Sequence, residues 1–553
     1  MPNFLEDIFF QLQRAGDRVV LREIHEGNFV SVTGRELLER VGTCRAYLRN
    51  AGLQTGDRCA LLGPNSIQWA ALDLALIAEG VVAVPLYARQ SVAELAAMIR
   101  DSQPRILFVS DAALGDSVAH AAGGSPPRAL IEETVRGAKG SAPIGNAPNP
   151  RGDADLVTII YTSGTSGEPK GVCLNTANLT FMVSRTTERL NQLMGATREP
   201  DRIFLYAPLN FAASWMLMLT AFSRESAVML STDLNRLADE IRASAPHYFL
   251  NVPTLLERVK RGVEGNIAQS RAVVRGLYNR ARRAWERERA GRSGAFDSLW
   301  LWLGRAVIFK KVRARFGPNL RALICGSAPL APETQLFFLM LGIPVLQAYG
   351  LTETTALCTL DDPRVPIEPG CVGPAIAGVE MRLGDDDEIL VRGPNIFPNY
   401  WNRPEETAKV MREGWFHTGD QGEVNVRGNW RIIGRIKNLI VLNSGHKFAP
   451  EPIEDKLAEM LPAAQQVVLI GNGRGSVCAL VTGDVEHAAA QAAIDALNPE
   501  LPHYRQIRNF AVIREPFTPE SGLLTVMGKL KRDAISARFA GEIDAMYGRK
   551  ATA

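Results

Sequence analysis

Residues 156–175 read Leu-Val-Thr-Ile-Ile-Tyr-Thr-Ser-Gly-Thr-Ser-Gly-Glu-Pro-Lys-Gly-Val-Cys-Leu-Asn. The run Leu156–Tyr161 is β-branched and aromatic, the composition of a buried strand. It breaks into hydroxyls and glycines with a single cation, Lys170. Gly164, Gly167 and Gly171 allow close approach and positive φ, so backbone N–H groups and the hydroxyls of Thr162, Ser163, Thr165 and Ser166 can turn onto an anion. Lys170 adds a mobile positive charge. Downstream, Leu179, Met182, Val183, Thr186 and Leu190 recur at helical spacing. The expected layout is strand, phosphate loop, helix. It is not the P-loop of the common nucleotide hydrolases, because Pro169 precedes Lys170 and no Gly-Lys-Ser/Thr closes the loop.

A chain of 553 residues, 46% hydrophobic and 22% charged, is long enough for more than one domain. A net charge of +3 is too small to suggest nucleic-acid binding. The seven cysteines are scattered without a CxxC pair, against both a zinc site and a disulfide framework. The N-terminal segment lacks a basic n-region, and no apolar run reaches the roughly 20 residues that span a bilayer. A cytoplasmic enzyme is expected.

Taken in order, residues 1–150 alternate helix and strand. Gly34–Asn50 is an amphipathic helix, 59–62 a strand, Pro64–Glu79 a helix ended by Gly80, and Val81–Leu86 a strand. That alternation predicts an α/β fold with parallel-type sheets. The Gly-, Pro- and Ala-rich residues 122–153 read as a surface connection. Phe211 and the apolar run from Trp215 to Phe222 are either core or the wall of an acyl pocket. Residues 269–292 hold eight arginines around Trp285, with Trp300 and Trp302 beyond. Such a stretch is either a solvated face or a surface that lies against anionic lipid at the inner face of a membrane.

Two further blocks sit at strand ends. Cys325-Gly326-Ser327-Ala328 offers small residues against which a flat ring can lie. Gln347-Ala-Tyr349-Gly350-Leu-Thr352-Glu353-Thr offers a ring to stack, a hydroxyl for phosphate and a carboxylate for Mg²⁺. Trp-Phe-His-Thr-Gly-Asp420 places a carboxylate on a turn, suited to ribose hydroxyls or to capping that turn. Gly434-Arg435-Ile-Lys437 marks a compositional restart, read as the boundary between domains 1–435 and 436–553. The second domain reads as a smaller α/β unit that closes with Met527-Gly528-Lys529-Leu-Lys531-Arg532.

These blocks occur in the order found in the acyl-adenylate-forming, or AMP-binding, superfamily, and the resemblance runs from about residue 30 to 535. Within it the chain is most similar to long-chain fatty acyl-CoA synthetases, through Gly434–Val441, Pro450-Glu-Pro-Ile-Glu454, Ser521-Gly-Leu-Leu-Thr525 and Val252-Pro-Thr254. The resemblance implies a large N-terminal α/β domain and a small mobile C-terminal one. It implies ATP, Mg²⁺ and CoA, and activation of a medium- or long-chain fatty acid. Alternatives are a ligase that loads a phosphopantetheinyl carrier protein, or adenylation of a hydroxy acid. By the same resemblance Thr162 to Gly167, Gly326, Ser327, Ala328, Gln347, Tyr349 and Gly350 surround the nucleotide. Asp420 and Arg435 hold ribose, Thr352 and Lys170 meet phosphate, and Glu353 binds the metal. Lys529 bridges the acyl carboxylate and the α-phosphate, with Lys531 the other candidate, and Lys437 is the hinge.

The chemistry needs those cations, since a carboxylate must attack an already anionic phosphorus. Asn443-Ser-Gly445-His-Lys447 is either a surface hairpin turn or the passage for the pantetheine arm, with Lys447 on a CoA phosphate. The chain departs from the family pattern at Asn210-Phe211-Ala212, at the lysine of the hinge, and at Thr525-Val-Met-Gly528.

Overall fold

The computed structural model describes residues 2–124, 126–136, 147–163, 169–195, 200–518, 521–525 and 528–548. The chain divides into two compact units. The first comprises Met1–Glu380, Val391–Phe416 and Val426–Trp430; the second comprises Met381–Leu390, His417–Asn425 and Arg431–Ala553.

Among the described residues, the first unit holds two large sheets. One runs in the order Arg128–Leu130, Ile106–Val109, Arg58–Leu62, Val82–Leu86, Leu156–Ser163, Pro169–Asn175. Its neighbours are parallel except the last pair, which is antiparallel. The other runs Thr359–Leu360, Val345–Tyr349, Ala322–Cys325, Tyr248–Asn251, Asp201–Leu205, Ser226–Ser231, Val19–His25, Asn28–Thr33, parallel except at its two edges. Parallel strands covered on both faces carry continuous apolar runs. Val82–Leu86 and Ser226–Ser231 are accordingly buried at every position.

Helix starts follow local chemistry. Asn3 with Glu6, Thr33 with Glu36 and Ser91 with Glu94 form reciprocal capping boxes, each satisfying two N–H groups that would lack partners. The predicted helix over 34–50 forms behind Thr33, and the one predicted from Pro64 starts at Ile67 behind the Ser66 cap. The fold class is therefore as expected: a large N-terminal α/β domain with parallel sheets and a smaller C-terminal α/β domain.

Three local expectations need correction. The strand Leu156–Ser163 is not followed directly by a loop and a helix, as the expected phosphate-loop layout has it. Pro169–Asn175 returns as an antiparallel strand, in register from Ser163↔Pro169 to Leu156↔Asn175, and the helix Thr176–Met194 follows. Val172, Cys173 and Leu174 are buried, and that apolar gain outweighs the turn-like look of Pro-Lys-Gly. Asp420 lies inside the strand Trp415–Val424, where Phe416, Thr418, Asp420 and Gly422 alternate onto the buried face. Gly419, at φ +68°, makes Thr-Gly-Asp resemble a turn without ending the strand. Residues 122–153 are more than a connection, for they hold the edge strand Arg128–Leu130 and the helix Ile131–Arg136.

In the second unit, Ala464–Ile470, Val477–Gly483 and Ile507–Ile513 form a sheet whose first pair is antiparallel and second parallel. Helices Glu451–Met460 and His487–Leu497 bury Leu457, Ala490, Ile494 and Leu497 with Val477, Ala479 and Val481 in one cluster.

Candidate functional site

Lys170 stands opposite Thr162 in the hairpin. Its ammonium is fixed rather than mobile, 2.5 Å from Glu406 Oε2 and 5.5 Å from the centroid of the Tyr400 ring. The ion pair with Lys170, then that with Lys409, holds the Glu406 carboxyl down at about 2. Lys170 thus holds a defined place between the Glu406 carboxylate and the Tyr400 ring. Gly171 is demanded by packing, since a Cβ there would stand 2.6 Å from Ile159 Cγ2 and 3.2 Å from Trp401 Cβ. Gly164, Thr165, Ser166 and Gly167, and the side chain of Ser163, lie outside the described residues.

The second block starts where the central strand Val345–Tyr349 ends. Gly350 leaves no room for a side chain: a Cβ would meet the Ala356 carbonyl oxygen at 2.1 Å and Leu357 Cα at 2.6 Å. The tight return is closed by left-handed Thr355 (φ 51°) and Ala356 (φ 83°) and by the Ala356 N–H donating to Leu351 O at 3.0 Å. Thr352 and Glu353 ride on the short 3-10 turn inside it, half-buried. Glu353 Oε1 accepts from the Tyr400 hydroxyl at 2.8 Å, and the Glu353 carbonyl accepts from the Phe397 N–H at 2.9 Å.

Tyr400 is the residue that sequence reasoning missed. Its segment zips onto the free edge of Pro169–Asn175: Val172 pairs with Tyr400, the Cys173 N–H donates to Asn399 O, and the Trp401 N–H donates to Gly171 O at 2.7 Å. Tyr400 thus stands between Lys170, 5.5 Å from its ring centroid, and the Glu353 carboxylate, 2.8 Å from its hydroxyl. The sequence signal is faint, an Asn-Tyr-Trp run after Gly-Pro, because Tyr400 reaches Glu353 across 47 residues of chain and pairs with Val172 from a more distant segment.

Gly326, Ser327 and Ala328 follow the strand Ala322–Cys325, and burial falls from Gly326 to exposed Ala328. Ser327 is left-handed at φ 75°, a strained conformation for serine that turns the backbone outward. Gln347 is buried, and its amide donates to Gln335 Oε1 at 2.9 Å, so its side chain ties two elements of the core. Trp215 is also core: 1% exposed, with its indole N–H on Asp73 Oδ2 at 2.7 Å. Burial pushes the Asp73 carboxyl up to about 7, against the opposing pull of that indole. Phe211 caps the same helix and is half-buried.

In the second unit, Asp420 is 3% exposed and its Oδ1 lies 2.6 Å from Arg435 Nε. The Asp420 N–H donates to Thr418 Oγ1 at 3.0 Å, which fixes the carboxylate on its strand. Lys437 sits in the 3-10 turn Ile436–Asn438. Burial, then Arg435, lowers its ammonium pKa, with Lys529 lowering and Asp533 and Asp420 raising it. Lys529 and Lys437 are therefore electrostatic neighbours within this unit. The Lys529 segment is a small hairpin: Leu524 pairs with Leu530, the Gly528 N–H donates to Thr525 O, and the Lys529 N–H donates to Thr525 Oγ1 at 3.0 Å.

Arg532 anchors that hairpin. Its two terminal nitrogens donate to Glu454 at 2.7 and 2.6 Å, and Glu454 also accepts the Leu469 N–H at 2.7 Å. Glu454 is buried, and such a bidentate pair holds geometry as well as charge. Neighbouring Glu451 accepts from Asn438 at 2.8 Å, so one helix N-terminus carries both the Lys437 turn and the Lys529 hairpin. Gly445, at φ 85°, does turn the hairpin between Ile440–Val441 and Lys447–Phe448, and Lys447 lies 3.7 Å from Asp386.

All seven cysteines are buried, and burial pushes the thiols of Cys44, Cys59 and Cys173 up to about 12. Among the described residues, no cluster of three His, Cys, Asp or Glu is placed to hold a metal, and no helix is long and apolar enough to cross a membrane.

The chain is similar over its length to known proteins. A long-chain-fatty-acid–CoA ligase, FadD15 of Mycobacterium bovis, is 29% identical, with 97% of this chain and 95% of that protein aligned. A putative fatty-acid–CoA ligase of Mycobacterium tuberculosis, fadD11, is 30% identical over 71% of this chain and 74% of its own length. The fold matches ATP-bound MatB from Rhodopseudomonas palustris at a TM-score of 0.75 and 24% identity, covering 97% of this chain and 99% of that one. Residues 8–401 match the AMP-binding enzyme family and residues 437–551 its C-terminal domain, and the chain belongs to the AMP-binding enzymes.

Proposed function

We propose that this enzyme activates a medium- or long-chain fatty acid with ATP, releases pyrophosphate, and passes the acyl group from acyl-AMP to the thiol of CoA. The observation that carries the reading is the Tyr400 bridge, which gathers a charged lysine and a hard oxygen donor from two distant segments beside the Tyr349–Thr354 turn. The similarity to fatty-acid–CoA ligases supports the acid and the acceptor. Tyr349 stacks on adenine beside Gly326–Ala328. The Asp420 carboxylate, held by Arg435, accepts the ribose hydroxyls, and Thr352 and Lys170 hold phosphate oxygens. Glu353 fits Mg²⁺, because that ion takes most of its ligands from phosphates and water and needs only one or two carboxylates. When bound it neutralises phosphate charge. Lys529 lets the fatty acid carboxylate approach the α-phosphate, by compensating the charge on both.

The C-terminal domain, with its functional boundary at Lys437, is proposed to turn between the two half-reactions and to bring Gly445 and Lys447 into CoA binding. The test is pyrophosphate release with and without CoA. Acyl-AMP that free CoA never discharges, but a carrier protein does, would replace this reading with an acyl-AMP ligase.

A membrane surface is proposed as the source of the acid, with the enzyme at the inner face of the cytoplasmic membrane. The helices Ala272–Arg289 and Asp297–Gly304 pack together, and beside exposed Arg271 and Arg275 they leave Val273 82%, Phe296 70% and Trp302 63% exposed. Large apolar side chains among arginines suit the interface of anionic lipid. Vesicles containing phosphatidylglycerol should sediment the enzyme, phosphatidylcholine vesicles should not, and Phe296→Asp with Trp302→Asp should abolish the binding. Equal binding to both vesicles, or to neither, would defeat the idea.

A further inference from the structure

Tyr400 carries a role that follows from its contacts. Its hydroxyl donates to one oxygen of Glu353 at 2.8 Å, its ring lies 5.5 Å below the Lys170 ammonium, and the residue is 6% exposed. It cannot drift. Its N–H donates to Thr407 Oγ1 at 3.0 Å, its backbone pairs with Val172, and Phe397 packs edge-on at 4.7 Å. A carboxylate on a short 3-10 turn has a free torsion about its terminal bond; a phenol fixed by three independent contacts removes that freedom. One Glu353 oxygen is then committed to Tyr400 and the other is aimed.

We infer that Tyr400 is a positioning residue for the metal-bound nucleotide: it orients Glu353 toward the cation and keeps Lys170 beside the same phosphates. The inference rests on the reading of Glu353 as the Mg²⁺ carboxylate. Hydrogen-bonding partners of metal ligands set ligand orientation, and their loss typically costs roughly 10- to 100-fold in metal affinity. The ring contact with Lys170 should survive loss of the hydroxyl alone.

The discriminating variant is Tyr400→Phe, which keeps the ring, the packing and the backbone pairing. Calorimetric titration of ATP, in EDTA and at graded Mg²⁺, is compared for wild type, Tyr400→Phe and Glu353→Gln. Pyrophosphate release against Mg²⁺ is the second readout. Tyr400→Phe should bind ATP in EDTA as wild type does, but need roughly tenfold more Mg²⁺ for half-maximal enhancement of binding and of turnover. Its rate at saturating Mg²⁺ should fall by no more than about threefold. Glu353→Gln should lose the Mg²⁺ enhancement. If Glu353→Gln keeps it, the metal reading of Glu353 fails whatever Tyr400 does. If Glu353→Gln loses it while Tyr400→Phe titrates like wild type, the positioning role is overturned. Weaker ATP binding by Tyr400→Phe in EDTA, with an unchanged Mg²⁺ response, also overturns it and leaves a packing role.

Discussion

Gly350→Ala adds one methyl group where the structure has no space. The new Cβ would stand 2.1 Å from the Ala356 carbonyl oxygen and 2.6 Å from both Ala356 C and Leu357 Cα, where ordinary contact needs 3.4 Å or more. The obstacle is backbone, so no side chain can swing aside. Nor can the backbone retreat freely: the Cys358 N–H donates to Tyr349 O at 2.7 Å, the Ala356 N–H to Leu351 O at 3.0 Å, and Thr355 Oγ1 to Asn395 O at 2.7 Å. Relief therefore requires the Tyr349–Thr354 turn to move by about 1 Å, at an overpacking cost of about 1–3 kcal/mol. A displacement of that size at reacting groups costs on the order of a hundredfold in rate. Pyrophosphate release with ATP, Mg²⁺ and a long-chain fatty acid should fall by that factor, with a lower unfolding midpoint. Gly262→Ala is the control, in a helix where a Cβ meets nothing within 4 Å. It should keep full activity and gain up to about 1 kcal/mol in stability. Wild-type turnover by Gly350→Ala would refute the claim that this turn places Thr352 and Glu353.

Four more outcomes follow from the structure. Asp73, raised to about 7 in the fold from 3.8, binds a proton that the unfolded chain has released, so its own contribution to stability is fully present below about pH 4 and is lost as pH rises through 7. The loss is on the order of 4 kcal/mol; urea unfolding of Asp73→Asn should be flatter across that window and more stable than wild type at about pH 8, and an unchanged slope would contradict the buried acid. Lys529→Ala should lower acyl-AMP formation roughly a hundredfold or more, with nucleotide binding kept, while Lys531→Ala stays near wild type; the reverse pattern would move the role to Lys531. Lys437→Pro should slow thioester formation and spare acyl-AMP formation, because proline fixes φ at the proposed pivot; equal loss of both steps would make the position merely structural. Arg532→Met strands the buried Glu454 and should cost about 3–5 kcal/mol, largely recovered in Arg532→Met with Glu454→Leu; no recovery would show that the ion pair is not the main loss.

The parallel sheets were legible because strands such as Val82–Leu86 are continuous apolar runs alternating with the helices expected over 34–50 and from Pro64, signals contained within a few residues. The candidate site was legible as separate blocks. What joins them was not. Glu406 against Lys170 and Tyr400 against Glu353 are contacts between segments far apart in sequence, and nothing local in Asn-Tyr-Trp announces them. Two local signals misled. Pro-Lys-Gly looks like a loop but begins a strand, because Val172–Leu174 is buried, and Thr-Gly-Asp looks like a turn but lies within one. The apolar run at Trp215 could be pocket or core from sequence; its 1% exposure makes it core.

Acid-dependent adenylation followed by thioester formation is the central claim. Purified enzyme, given ATP, Mg²⁺ and a long-chain fatty acid, should release pyrophosphate only when the acid is present. Adding CoA should convert the bound acyl-AMP to acyl-CoA, resolved by mass spectrometry, with one AMP formed for each thioester. Pyrophosphate release that is independent of the acid, or formation of ADP and phosphate instead, would contradict it.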